Sequence, residues 1–484
     1  MSLKQKVVSG AAWSALQKVS SQVIQFSVFL ILAALLEPES FGLVALAVAF
    51  IGFLQVFLDQ GFSDAVIQRE NLEPEHLDTA FWSNVAVGLV LSSIALLSSA
   101  FIAELFKQPT LGPIIDFFSL TLIIGSVSAV QQAILRREFK FKSLALRNMV
   151  AIVAGGIVAT SMAFYGMGVW SLVGKQLVEV AVRAIILWKV SNWRPRFKFS
   201  RRHFGDLFHF GINITAMHVL TFSNRKAGDF IIGYFLGAAA LGYYHVGTRI
   251  IKMVQGLIAT TINSVAMPAF SRLQSDVKRV KQAFFKITNF TVLVSFPAFG
   301  SLYLLSGTIV DDILGERWHS VIPVMSILAC VAVFDGVKHA MSSLILGMGK
   351  SSWRLKLQLL EVPVSIVGVL IAVNWGINAV ALTNFIVVVL FFPVWFWCTS
   401  KLLDMSVMEY LKQCHIPFLC TAVLMGYLSV INSPQLLTYG AKVNLLVMVI
   451  TGIMVYFIAM LVISPKTFKQ LMSIATSLAP KKAS

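Results

Sequence analysis

Any chemistry in this chain rests on charged side chains set inside long apolar runs, where each ionised group costs at least ~2.5 to 3.5 kcal/mol at the centre of a bilayer. The bases are Lys18, Lys175, Arg183, Arg225, Lys226, Arg249, Lys252 and Lys338, and the acids are Asp59, Asp64, Glu179, Asp229, Asp335 and Glu361. Each must face water or a partner, and spacing sorts them. Lys175, Glu179 and Arg183 follow one another at i, i+4 and i+8, so they share a helical face and can neutralise one another as a structural ladder. Lys226 with Asp229, and Asp335 with Lys338, stand at i, i+3 and either close internally or serve a ligand. Arg249 and Lys252 share a face with no acid near them in sequence. Two like charges on one stripe repel until a counter-anion arrives, which makes this pair the strongest ligand candidate. Lys18 stands alone early in the first run and either snorkels to the inner face or reaches a ligand. Asp59, beside Gln60 and Gly61, is either a counterion for these bases or a coupling-ion site, and Asp229 and Asp335 belong to the same class.

The elements that carry these groups must be membrane helices. The 484 residues are 57% hydrophobic and only 13% charged, with a mean hydropathy of +0.81, far from the balance of a soluble domain. Continuous apolar runs, rather than strand-length alternation, exclude an outer-membrane barrel. Fourteen spans are predicted, at 9–36, 40–67, 79–106, 113–135, 143–165, 168–190, 207–235, 239–268, 284–309, 319–347, 355–374, 377–399, 412–431 and 442–463. The net charge of +17 sorts onto one side of this list, which argues against nucleic acid as its partner. Arg136, Arg137, Lys140 and Lys142 lie on that side, as do Arg194 to Arg202, Arg272 to Lys286, Lys350 to Lys356, and the basic residues of both termini; Lys107, Arg317 and Lys442 lie on the other. Cytoplasmic loops are enriched in Lys and Arg, so both termini are expected in the cytoplasm. The exoplasmic turns are too short to hold a domain, and the tail from Pro465 has the composition of a basic amphipathic segment on the inner leaflet.

An internal repeat organises the spans. Leu36 to Gly42 matches Leu236 to Gly242 at an offset of 200, and Tyr165 to Leu172 matches Trp375 to Leu382 at an offset of 210. Six spans per copy is an even number, so the copies are parallel repeats related by an axis along the membrane normal. The expected organisation is an N-lobe at 1–203, a C-lobe at 204–403, two added spans at 404–464, and the tail at 465–484.

Nothing points to catalysis: the chain has no phosphate-binding glycine loop, no histidine-rich metal cluster and no nucleophile triad. Cys330, Cys398, Cys414 and Cys420 lack disulfide or metal spacing and read as small core hydrophobes. No metal or cofactor is expected beyond a coupling cation, Na+ or H+. The bases collect on spans one, seven, eight and ten, which makes a cationic cleft suited to an anion such as diphosphate.

Several segments resemble the polysaccharide transporter family, which includes the lipid-linked oligosaccharide flippases of the multidrug, oligosaccharidyl-lipid and polysaccharide exporter superfamily. These are Ser9 to Ser14, Phe41-Gly42-Leu43, Phe57 to Ser63, Ala65 to Arg69, Gly168 to Val173, Trp193-Arg194-Pro195 and Asp229 to Gly237. The resemblance covers residues 2 to about 400. It implies an all-α protein of two six-helix lobes forming a V, alternating access, and a cationic cavity for the pyrophosphate of an undecaprenyl-linked glycan, carried from the cytoplasmic to the periplasmic leaflet. Its partners would be that glycan, membrane lipid, and the glycan polymerase and export machinery. Two other readings stay open. A cation-coupled multidrug exporter would have an acidic or mixed cavity and usually twelve spans, and a membrane-embedded glycan polymerase would carry a long exoplasmic loop.

Overall fold

The computed structural model describes residues 3–58, 62–68, 72–432 and 441–465, and among these every regular element is helical. A chain this apolar satisfies its backbone inside a bilayer only by bonding within helices. In order they are α1 (Leu3–Leu35), α2 (Pro38–Leu58), α3 (Phe62–Gln68), α4 (Pro74–Leu105), α5 (Leu111–Ser126), α6 (Ala129–Arg137), α7 (Phe141–Phe164) and α8 (Val169–Val190). There follow α9 (Arg201–Leu273), α10 (Val277–Leu304), the single turn α11 (Ser306–Ile309), α12 (Val321–Gly347), α13 (Ser351–Ala372), α14 (Ile377–Leu403), α15 (Val407–Ile431) and α16 (Ala441–Ile463).

Among the described residues ten helices are long and apolar enough to cross a membrane, or eleven if α5 and α6, bent by 44°, form one span. Within α1 the described stretch Val19–Leu35 is apolar, and α8 carries Lys175, Glu179, Arg183 and Lys189. The bend between α5 and α6 has a visible origin. The Val127 carbonyl accepts from Trp188 Nε1 at 3.0 Å, while the Ser126 and Ser128 hydroxyls donate to the Ile123 and Ile124 carbonyls at 2.7 and 2.8 Å. Side chains inserted into the helical ladder bend it.

The chain falls into two compact units, Met1–His245 and Val246–Ser484. In the first, α1 packs on α7, α7 on α8, α4 on α5, and α5 on both α2 and α8. In the second, α10 packs on α12 and α15, α12 on α14, α13 on α14, and α15 on α16. The last two helices share a core with α10, where Leu293, Cys420, Leu424, Leu428, Met448 and Met460 are buried and Tyr456 Oη donates to the Leu293 carbonyl at 2.8 Å.

The repeated turns meet inside the first unit. A Cβ on Gly42 would lie 1.7 Å from the Ala238 carbonyl oxygen, and a Cβ on Gly242 would lie 1.9 Å from the Pro38 carbonyl oxygen. Residues 38 and 238, and 42 and 242, are the pairs that the repeat aligns, so each turn receives the other reciprocally, as a two-fold contact requires. Gly237, at φ +83°, supplies the left-handed residue that breaks α9 at the second turn. The other expected match differs in register: Gly168 and Gly376, rather than Gly166 and Gly376, are the residues that immediately precede α8 and α14.

Candidate functional site

The predicted ladder on α8 forms. Glu179 is 3% exposed, accepts from Lys175 Nζ at 2.5 Å and pairs with Arg183. Gly155 of α7 makes room for it, since a Cβ there would lie 2.5 Å from Glu179 Cγ. Its three charges are consumed internally.

The candidate ligand residues differ in burial and in the partners they meet. In the first unit Lys226 Nζ lies 2.6 Å from Asp229 Oδ2, and His245 Nε2 lies 3.2 Å from the same oxygen. Asp229 is 7% exposed, so a lysine and a histidine supported by different turns of α9 converge on one buried carboxylate. His245 was absent from the sequence-derived set, because a single histidine near a helix start carries no spacing signal. Arg225, one residue before Lys226, is exposed. The side chain of Lys18 on α1 and the whole of Asp59 lie outside the described residues.

In the second unit Arg249 and Lys252 are both exposed on α9, one turn apart. Lys338 does not close onto Asp335 as the i, i+3 spacing allowed. It pairs instead with Glu361 of α13, while Asp335 accepts from Gln255 Nε2 of α9 at 3.4 Å. Trp395 of α14, wholly buried, donates from Nε1 to Glu361 Oε2 at 3.3 Å. Its ring also receives two cations, with Lys338 Nζ 5.6 Å and Arg354 Cζ 5.2 Å from the centroid. Each cation over an indole face gains ~0.5 to 2 kcal/mol. Lys338 is thereby held by an acid and an aromatic ring from neighbouring helices, a far better solution for a membrane-embedded ammonium than an aspartate on its own helix.

A cavity of 780 Å³ opens among α10, α12, α14 and α15, and its wall is almost wholly apolar, with Phe296, Phe334, Phe392, Phe418 and Met425 among its lining residues. On the opposite chemical extreme, the start of α4 and the start of α9 bring Glu73, His76 and His203 together. The sequence predicted no metal cluster, because two of these residues are separated from the third by more than a hundred positions.

The model of the family described as polysaccharide biosynthesis protein matches residues 31–323, more than half of the chain. The chain belongs to the polysaccharide biosynthesis protein family. It is 26% identical to the lipopolysaccharide biosynthesis protein WzxC of Escherichia coli (strain K12) over 450 residues, 90% of each chain. It is 25% identical to the teichuronic acid biosynthesis protein TuaB of Bacillus subtilis (strain 168) over 484 residues, covering 97% of this chain and 98% of that one. Among solved structures the fold is that of the lipid II flippase MurJ in its inward closed conformation, with a TM-score of 0.74 at 14% identity, covering 95% of this chain and 99% of that one. An inward-facing multidrug resistance transporter of the MATE family matches with a TM-score of 0.60 at 17% identity over 80% of this chain and 96% of that one. The chain is accordingly a multi-pass membrane transporter of polysaccharide biosynthesis and not an enzyme. Within that family the family-like segment Asp229 to Gly237 has a structural account: Asp229 closes the Lys226 and His245 pairings and Gly237 makes the break in α9.

Proposed function

We propose that this transporter carries an undecaprenyl-pyrophosphate-linked oligosaccharide from the cytoplasmic to the exoplasmic leaflet of the bacterial inner membrane, by alternating access through a cationic cavity. Its six-span repeats, 1–203 and 204–403, act as the two lobes, and both termini lie in the cytoplasm. The observation that carries the anion reading is the pair Arg249 and Lys252, two exposed bases one turn apart within an apolar helix. Guanidinium and ammonium together suit a diphosphate, which offers more than one anionic oxygen. Arg225 adds a third exposed base, and Lys18 is assigned to the same ligand set by its place in the first span. Lys226 and Lys338 contribute only when Asp229 and Glu361 release them, as an arriving anion can induce by competing for the cation.

The apolar cavity of the second unit suits the hydrocarbon chain of such a carrier, since burying each CH₂ gains ~0.8 kcal/mol. Asp59, Asp229 and Asp335 are the candidate counterions or binding groups for a coupling Na+ or H+. A glycan polymerase and the export machinery would take the product on the far side. Deletion of the gene should leave the lipid-linked oligosaccharide accumulated and confined to the inner leaflet. Accessibility of the sugar to a membrane-impermeant lectin in spheroplasts measures this, and unchanged exposure would refute the proposal.

A further inference from the structure

The connection from α8 to α9 is fastened along the first turns of α4 by an ordered set of contacts. Arg196 N donates to Asp78 Oδ1 at 3.0 Å, Trp82 Nε1 donates to the Arg196 carbonyl at 2.8 Å, and Ser200 N donates to Thr79 Oγ1 at 3.2 Å. The Trp82 and Phe197 rings stack at 4.9 Å. Asp78 and Thr79 are buried, so these bonds fix the backbone of residues 196–200 and with it the opening turn of α9. The outcome is a defined position for His203. Its Nε2 lies 3.0 Å from Glu73 Oε2, and its ring meets that of His76 edge to face with centroids 4.2 Å apart. One ligand atom from each of Glu73, His76 and His203 lies within 4.8 Å of the other two.

We propose that Glu73, His76 and His203 form a binding site for a divalent transition metal of the zinc class, which ties the α8–α9 connection to the start of α4. Two imidazole nitrogens and one carboxylate oxygen are a recognised three-ligand set for Zn²⁺, with a fourth position left to water. The burial gradient suits entry from solvent: His76 is 1% exposed, the His203 side chain 13% and the Glu73 side chain 62%. Ligand atoms bound to one tetrahedral ion at about 2.0 to 2.1 Å stand little more than 3 Å apart, so a metal replaces the proton between His203 and Glu73 with small adjustments. His203 Nδ1 is buried with no hydrogen-bond partner, which leaves the ring free to turn toward an ion. His76 Nδ1 accepts from the Glu73 backbone N–H at 3.2 Å, a long bond that already directs a nitrogen lone pair toward the Glu73 loop.

Electrostatics narrow the choice of ion. Two helix N-termini meet here, and their dipoles oppose a cation. Glu75 is engaged by Lys198 at 3.6 Å and Asp78 by a backbone N–H, so Glu73 is the carboxylate left for the ion. A hard ion such as Mg²⁺ or Ca²⁺, held by charge and oxygen ligands, gains little here. An ion that bonds well to imidazole is favoured, and this selects the zinc end of the divalent series.

The experiment uses the full chain in detergent, purified without a polyhistidine tag and stripped with EDTA. Zn²⁺ is titrated in competition with a chromophoric chelator, and Co²⁺ serves as an optical probe of coordination. The expected result is one Zn²⁺ per chain, visible Co²⁺ bands, and a thermal midpoint raised by Zn²⁺. Glu73→Gln and His203→Ala, both at the wetter side of the site, should each weaken Zn²⁺ binding at least tenfold and abolish the midpoint shift while the metal-free proteins still fold. His76→Ala removes a buried ring, so it is judged only alongside those two. No stoichiometric binding by the wild type, or equal binding by the wild type and both variants, would show that the three residues form only a helix cap and a hydrogen bond.

Discussion

Lys338 illustrates how a membrane cation is held at the scale of single residues. With Glu361 on one side and the Trp395 ring on another, removing either charge leaves its partner in a largely dry site. Loss of one member of a buried pair costs ~3 to 5 kcal/mol, and the partial exposure of this pair places it at the lower end of that range. Lys338→Ala should lower the yield and thermal midpoint of the purified protein, and Lys338→Met combined with Glu361→Gln should recover most of both. If transport also returns in the double variant, Lys338 is a structural residue; if folding returns without transport, it is a ligand. The sequence showed the α8 ladder because all three of its charges lie on one helix at fixed spacing. It could not show that Glu361 outcompetes Asp335 for Lys338, since that choice is made between helices. For the same reason the meeting of Glu73 and His76 with His203 was invisible, whereas the pairing of Lys226 with Asp229 could be read three residues apart.

Among the elements, the reciprocal contact of the two repeated turns brings two backbones into close approach. Gly42→Ala and Gly242→Ala each place a methyl group inside 2 Å of a backbone carbonyl oxygen that no side-chain rotation can relieve. Overpacking of this kind costs ~1 to 3 kcal/mol or more, so each variant should show a lower thermal midpoint and reduced export, measured on purified protein and on surface polysaccharide. Gly112→Ala is the control, because its Cβ would meet its nearest neighbour at an ordinary 3.5 Å. The turn glycines were legible through their repetition. The bend inside an expected span was not: 113–135 bends at Val127 because Trp188 of α8 takes its carbonyl. Trp188→Phe removes that donor while keeping the ring bulk. It should lower stability by about 1 kcal/mol, readable as a shift in thermal midpoint.

For the whole molecule, composition alone identifies a membrane protein, and the loop charges predict which face is cytoplasmic. Single cysteines introduced at Arg196 or Lys350 should react with an impermeant maleimide only after the membrane is opened. Cysteines at Glu37 or Trp375 should react in intact spheroplasts. The native Cys330, Cys398, Cys414 and Cys420 are free and buried or half-buried, which gives a low background for that labelling. The reverse pattern would invert the proposed direction of transport. Family membership establishes that this is a protein of polysaccharide biosynthesis, whereas the proposed cargo rests on the exposed bases. The most direct measurement is the rate at which proteoliposomes containing the Arg249→Ala/Lys252→Ala double variant expose a pyrophosphate-linked oligosaccharide lipid to an external lectin. Loss of at least 90% of the wild-type rate, roughly the tenfold change expected from removing ~1.4 kcal/mol of anion stabilisation, is the predicted result. A wild-type rate in a correctly inserted double variant would contradict the cationic-site account.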